Sequence, residues 1–414
     1  MVSDDLEAAI VGAGAAGIAA ACRLRDAGVD CLLLEARRRL GGRAWTVVSP
    51  TGLPLDMGCG WLHSADRNPW RAIAEAQGRH IDFTSPPWLR PALPIGFPPS
   101  DQAAFRQAFE QFLERVISFP DSEPDCPASA LLDPSSRWNG LIDAVATYMS
   151  GAELDWISAR DHSRYADSGV NWRVVEGYGA VVAAYGASLR VALECPVRRI
   201  DHSGRRLKLE TARGEVTADI VIITLPTNLI AEGLFSPALP EKVEAAMNLP
   251  LGFDDKLFLS LADADEFEPE GRLSPHIDRT RTAAYHVRPF GRPLIEAYFG
   301  GSLVQELEKG GKDAFFDFAR TELTDLLGSG FAKRIKPIGI QCWGTDPYAR
   351  GSYSHAVPGK ADCRAVLAAP VDERLFFAGE ACSTSDYSTA HGAYLTGIAA
   401  AEQALAVRRG RQLA

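Results

Sequence analysis

Four residues near the start of the chain have the types and spacing to hold a dinucleotide. Gly12, Gly14 and Gly17 stand in the pattern GxGxxG, and Glu35 follows 18 residues after the last of them. Gly12 suits a tight turn, Gly14 lets backbone approach a pyrophosphate, and Gly17 lets a helix press on a strand. Ala15 and Ala16 open that helix, whose free N–H groups and positive dipole end attract phosphate. An acid at the distance of Glu35 accepts hydrogen bonds from ribose hydroxyls.

The elements that must position these residues are legible around them. Ala8 to Val11 is a short apolar run, as in a buried parallel strand. A small-residue helix is expected over Ala15 to Ala27, closed by Gly28. A second strand, Asp30 to Leu34, leads into Glu35. The glycines alone are a weak signal. Strand, glycines, helix, strand and acid in that order are a strong one, against the plainer reading of a Gly/Ala-rich buried helix.

Behind the acid come Ala36, Arg37, Arg39, Gly41, Gly42 and Arg43, so the segment reads ExxxRxGGR. Here the chain resembles the flavin amine oxidase family: monoamine oxidases, polyamine oxidases and lysine-specific histone demethylases. The resemblance is to a soluble, bacterial-type member. It implies FAD, with the GGR turn beside the pyrophosphate and flavin and with Ala36 and Arg37 among the cofactor-binding residues. DMGCGWLH resembles the family's DxGxxWxH element, which lines the flavin and brings in Gly58, Gly60 and Trp61. The resemblance gives the backbone at Val197 the adenine. Gly379 and Glu380 match a GE pair near pyrophosphate and ribitol. Ala390 and His391 match backbone N–H donors to the flavin pyrimidine.

The same resemblance supplies the expected chemistry. Lys256, in LPLGFDDKLFLSL, matches a lysine joined through water to flavin N5; a surface lysine on an edge strand is the plainer alternative. Trp343 and Tyr353 lie in WGTDPYARGSYS, where Tyr353 forms one wall of the family's aromatic cage and Trp343 also fits ordinary packing. Ser352 stands where monoamine oxidases carry the flavin-linked cysteine, which implies non-covalent FAD. Thr389 stands where they have the second cage tyrosine, so the cage is half-built. His63 is placed at the pocket wall or in simple packing.

Composition bounds the rest. With 414 residues, 46% hydrophobic and 23% charged, the chain reads as soluble and two-domain. A net charge of −10 speaks against general affinity for nucleic acid and weakly suits a cationic substrate, though solubility alone explains it. Eight scattered cysteines without a CxxC pair argue against a zinc site or a disulfide framework and for a reducing cytoplasm. MVSDDLEAA does not read as a signal peptide, no stretch reads as a membrane span, and VRRGRQLA is read as stopping soon after its last helix.

Helices are expected over Asn68 to Gln77, from a cap at Asp101, and over Trp138 to Met149, with Phe105, Ala108, Phe109, Phe112, Leu113 and Val116 as core. The proline-rich run Ser85 to Pro99 is a crossing loop or a lid. Strands are expected at Val197 to Ile200, through Leu207 to Thr211 and at Asp219 to Thr224, and a strand, glycine turn and long helix over Arg374 to Ala406. The fold class is α/β and α+β. A discontinuous Rossmann-like FAD domain of glutathione-reductase type (1–75, 181–230, 336–414) is joined to a substrate domain of mixed sheet and helices (76–180, 231–335). The reading is an FAD-dependent amine oxidase that takes hydride from an amine α-carbon to flavin N5, with imine hydrolysis and reoxidation by O2 to H2O2. A flavoprotein oxidase or desaturase on a non-amine substrate, or a flavin-bound protein-interaction module, are the alternatives. The particular amine and the oligomeric state stay open.

Overall fold

In the computed structural model, which describes residues 5–413, the glycine segment lies at the middle of a sheet. Residues 1–4, from the acidic leader, and residue 414 fall outside the described residues. Strand Asp5–Val11 pairs in parallel with Cys31–Leu34 on one side and with Gly214–Ile223 on the other. Its residues 8–11 are enclosed from both faces, hence the unbroken apolar run. The sheet continues through Leu207–Thr211, Val197–Asp201 and Phe235–Ser236 at one edge and Val191–Ala192 at the other, while Leu375–Phe377 also pairs with Gly214–Ile223.

Helix Ala15–Asp26 packs along the final helix, Ala390–Leu413. Glycine permits two close approaches here, of the first helix to the glycine turn and of the last helix to the first. A Cβ on Gly17 would lie 1.9 Å from the Gly12 carbonyl oxygen, and one on Gly397 would lie 2.2 Å from that of Ala16. Both ends of the chain therefore build the same layer.

The second sheet is antiparallel throughout, in the order Gly271–Leu273, Ala284–Val287, Leu294–Gly300, Asp254–Leu261, Ile335–Gln341. Side chains alternate across it. Leu257, Leu259, Tyr285, Ile295, Ala297 and Phe299 pack with Leu303, Val304, Phe315 and Leu323 of helices Gly301–Gly310 and Lys312–Leu327. The opposite face carries Asp254, Lys256, Tyr298, Ala284, His286 and Arg272, and looks into a cavity.

Several expectations change. Phe235–Ser236, assigned to the substrate domain, pairs in the first sheet, and helix Pro240–Met247 packs against Cys363–Ala368. Asp101 is not a cap: the helix runs Pro99–Ile117 after Pro98, without a side-chain cap, and Asp101 pairs with Arg137. Proline tolerates the first helical turn, where no N–H is needed. Of the apolar stripe on this helix, Phe112 and Val116 are core, but Phe105, Phe109 and Leu113 also face the cavity and Ala108 is half-buried. Strand Gly214–Ile223 is longer than expected because its first half forms a hairpin with Leu207–Thr211. The last helix runs on to Leu413, through most of the tail read as lying past it.

Candidate active site

One continuous cavity of about 1190 Å³ runs from the glycine turn to the exposed face of the second sheet. At one end its wall is made by Gly12, Gly14, Ala15, Ala16, Glu35, Ala36, Arg37, Gly42, Arg43 and Val197. Gly58, Gly60, Trp61, Trp343, Gly379, Glu380 and Ala390 line its middle, and His63, Lys256, Tyr353 and Thr389 line it as well. Gly17 and His391 do not reach it. Gly17 is the packing spacer described above, and the His391 ring turns to the Asp386 carboxylate at 3.2 Å.

The cradle end is built from backbone. No side chain caps helix Ala15–Asp26, so its first N–H groups are left for a ligand. The Glu35 carboxylate accepts N–H bonds from Ala13 and Arg37, both at 2.8 Å, which ties the glycine turn to the end of strand Cys31–Leu34. The Cys195 N–H donates to the Glu35 carbonyl at 2.8 Å and so brings Val197 alongside. The Arg37 guanidinium is engaged by Asp346, and Arg39 stacks over Trp45 at 4.3 Å while donating to the Gly42 carbonyl at 2.7 Å.

Glu380 holds several segments together. It pairs with Arg43 at 2.9 Å and accepts the Ser354 hydroxyl at 2.7 Å and the Ser388 N–H at 3.0 Å. Burial alone would raise its carboxyl, but Arg43, Ser354 and Arg364 outweigh burial and hold it below the ordinary range. Thr389, matched to a cage position, lines the cavity and also caps the last helix: its hydroxyl accepts the Gly392 N–H at 2.9 Å and donates to the Asp386 carbonyl at 2.6 Å. The Ala390 carbonyl takes the Trp70 indole N–H at 3.0 Å.

At the other end, Lys256 is buried with Nζ 3.2 Å from Glu296. Glu296 in turn lies 3.9 Å from His286 Nδ1, and His286 Nε2 is 2.7 Å from Glu270. Glu270 completes the row with Arg173 at 2.8 Å, and Arg173 reaches Asp82 at 2.6 Å. Burial would raise Glu270, yet His286 and Arg173 bring it down to about 2. Arg173 lies over Trp61 at 4.7 Å, and Trp61 meets Trp88 of the proline-rich run edge-on at 4.5 Å.

The remaining walls are pinned. Trp343 donates its indole N–H to the Met57 carbonyl at 3.0 Å, and its backbone N–H goes to Asp255 at 2.9 Å. The Tyr353 hydroxyl donates to the Tyr148 carbonyl at 2.7 Å, and burial raises it well above a free phenol. Burial lowers the His63 imidazole, which shares a 2.6 Å hydrogen bond with Asn171. Asp254 has one carboxyl oxygen enclosed and unbonded, and burial pushes its carboxyl well up.

A family model for flavin containing amine oxidoreductases matches residues 15–87 and 102–405. The chain belongs to that family. This amine oxidoreductase is 29% identical to polyamine oxidase 4 of Oryza sativa subsp. japonica, over 95% of its own length and 87% of the relative's. Polyamine oxidase 2 of Arabidopsis thaliana is also 29% identical, over 95% and 86%. Lysine-specific histone demethylase 2 of Homo sapiens is 24% identical over 94% of this chain but 52% of its own. A solved structure of putrescine oxidase bound to putrescine matches with a TM-score of 0.78 at 17% identity, over 97% and 99% of the two chains, which speaks for the fold alone.

The cofactor of this amine oxidoreductase is FAD, and the cradle fits it. A Cβ on Gly42, whose φ is +59°, would come within 3.2 Å of the Gly14 Cα, so the two bare backbones form a slot that side chains would fill. The uncapped helix end and Glu35 flank that slot, as pyrophosphate and ribose require. Among the described residues, no helix is long and apolar enough to cross a membrane.

Sequence reasoning missed Glu296, His286, Glu270 and Arg173, which surround Lys256, and Tyr298 and Asp254 beside it. The signal was present as single polar residues inside apolar strands, LIEAYFG and AYHV. Strand register was needed to bring them to one face.

Proposed function

We propose that this enzyme oxidises an amine at its α C–H bond, with non-covalently held FAD as electron acceptor and O2 as the final oxidant. The observation that carries the reading is one cavity joining the Gly14–Gly42 slot to the patch where Lys256, Trp343 and Tyr353 meet. When bound, FAD supplies a hydride acceptor at N5, so that the amine leaves as an imine for water to hydrolyse and O2 is reduced to H2O2.

The chain's own residues have separate tasks. Tyr353, held by Tyr148, presents a fixed aromatic face that attracts the amine while it is still an ammonium, worth about 0.5–2 kcal/mol, before it gives up its proton. Trp61, Tyr298 and Trp343 keep the patch dry, so the amine reacts uncharged. Asp254 offers it a hydrogen-bond acceptor. Lys256, held by Glu296, relays protons during reoxidation. The Ser352 hydroxyl donates to the Gly252 carbonyl at 3.0 Å and brings no thiol to the flavin, which supports non-covalent binding. Residues 1–75, 181–230 and 336–414, with Phe235–Ser236 added by pairing, would form the FAD domain, and most of the remainder the substrate domain. Scattered free thiols support a cytoplasmic location.

Purified protein should be yellow, and acid precipitation should release its flavin. Anaerobic mixing with an amine panel should bleach it. A preparation that stays colourless when supplied with FAD, or a yellow one that no amine bleaches, would overturn the proposal.

A further inference from the structure

The cavity floor ends in a guanidinium without a partner. Arg272 stands on the edge strand Gly271–Leu273, directly opposite His286, which is opposite Glu296, which is opposite Phe258 on the Lys256 strand. Neighbouring strands lie about 4.8 Å apart, so three intervals set the Arg272 backbone roughly 14 Å across the floor from Phe258, with Lys256 two and Asp254 four residues further along that strand. Arg272 is only partly exposed, and its Nε is enclosed and bonded to nothing. Among the described residues its side chain makes no hydrogen bond, ion pair or ring contact. The nearby Glu270 is taken up by His286 and Arg173.

The surroundings add to this charge. Arg90 and Arg106 also line the cavity, and neither has a partner among the described residues. Burial and the charge of Arg106 both lower the Arg272 guanidinium, but an arginine stays protonated. Arg106 and the acid on this wall, Glu110, are both exposed and therefore screened, whereas Arg90 and Arg272 are half-buried. Between the two ends the floor carries Ala284, Tyr298 and His286, the last already held by Glu270, while Phe105, Phe109, Leu113 and Val145 give the cavity an apolar wall.

A half-buried guanidinium with no partner among the described residues is left to receive an anionic group from the cavity. A polycation would meet repulsion here. We infer that the substrate is an amine carrying a carboxylate at the far end of an apolar body, the amine lying by Asp254 and Lys256 and the carboxylate on Arg272. This deepens the amine-oxidase reading and rests on it. It sets the specificity apart from the polyamines named for the relatives.

Three probes of one length test it: octylamine, 1,8-diaminooctane and 8-aminooctanoate. The expected kcat/KM is at least tenfold higher for 8-aminooctanoate than for the diamine. Arg272→Met should lower it at least tenfold for 8-aminooctanoate and leave octylamine within twofold, with Arg272→Lys restoring part of the loss. The melting temperature of Arg272→Met should be unchanged or raised, which shows that the fold is intact. Preference for the diamine, or an equal loss on all three probes, would overturn the inference. A binding arm separates this result from the fate of the amine-oxidase reading. Octanoate should perturb the bound flavin spectrum at least tenfold more tightly than octanamide, and Arg272→Met should abolish the difference. If no amine is oxidised, the parent reading falls. If octanoate binds no better than octanamide, the role of Arg272 falls.

Discussion

Lys256 Nζ lies 3.2 Å from Glu296 although the two residues are two positions out of register on neighbouring antiparallel strands. The diagonal contact leaves Tyr298 directly opposite Lys256 and lets one carboxylate reach both the lysine and His286. Both side chains are nearly enclosed, so the pair is a buried one rather than surface decoration.

Removing either partner should therefore be felt in different ways. Lys256→Met should leave anaerobic flavin bleaching within a few-fold and slow reoxidation in air by tenfold or more, read by stopped-flow. Unchanged oxidase turnover would remove the assigned role. Glu296→Gln strands the ammonium and should cost about 3 kcal/mol of stability, read by denaturant unfolding.

Flavin retention should depend on Glu35. Its carboxylate holds the Ala13 and Arg37 N–H groups, and the residue lines the glycine end of the cavity. Glu35→Ala loses charge-assisted bonds worth roughly 1.5–3 kcal/mol each. The expected result is a tenfold or weaker FAD affinity, measured as loss of the visible absorbance on gel filtration.

Acidification should destabilise the fold in two stages. Burial lowers His391 from 6.5 to about 4, so the unfolded chain binds the extra proton first and stability falls as pH drops from about 6.5 to 4. Glu270 sits at about 2 against 4.5, so its contribution is present above 4.5 and is lost as pH falls to 2, amounting to roughly 3 kcal/mol. Melts at stepped pH should show both slopes, and His391→Asn should reduce the first without removing it, because burial lowers His355 to about 4 as well.

Phe109 should act on substrate and not on cofactor. It faces the cavity from helix Pro99–Ile117, away from the nucleotide slot. Phe109→Ala should raise KM for long amines several-fold and leave the flavin spectrum unchanged. A spectral change with no KM effect would contradict this placement.

The nucleotide end of the protein was legible because its parts are local. Asp5 to Glu35 form one continuous strand–turn–helix–strand unit, in which spacing along the chain is spacing in the fold. The motifs around Trp343 and Glu380 were readable for the same reason. The apolar stripe from Phe105 to Val116 was only half readable. Periodicity marks a face as apolar but does not say whether side chains or a cavity will meet it.

What the sequence determined by itself was the cofactor class, the family and the short segments that line the glycine end and middle of the cavity. Tertiary structure alone decided the row from Lys256 to Arg173 and the unpaired Arg272. Those relationships depend on register between strands distant in the chain, and a shift of one residue would turn every side chain to the other face.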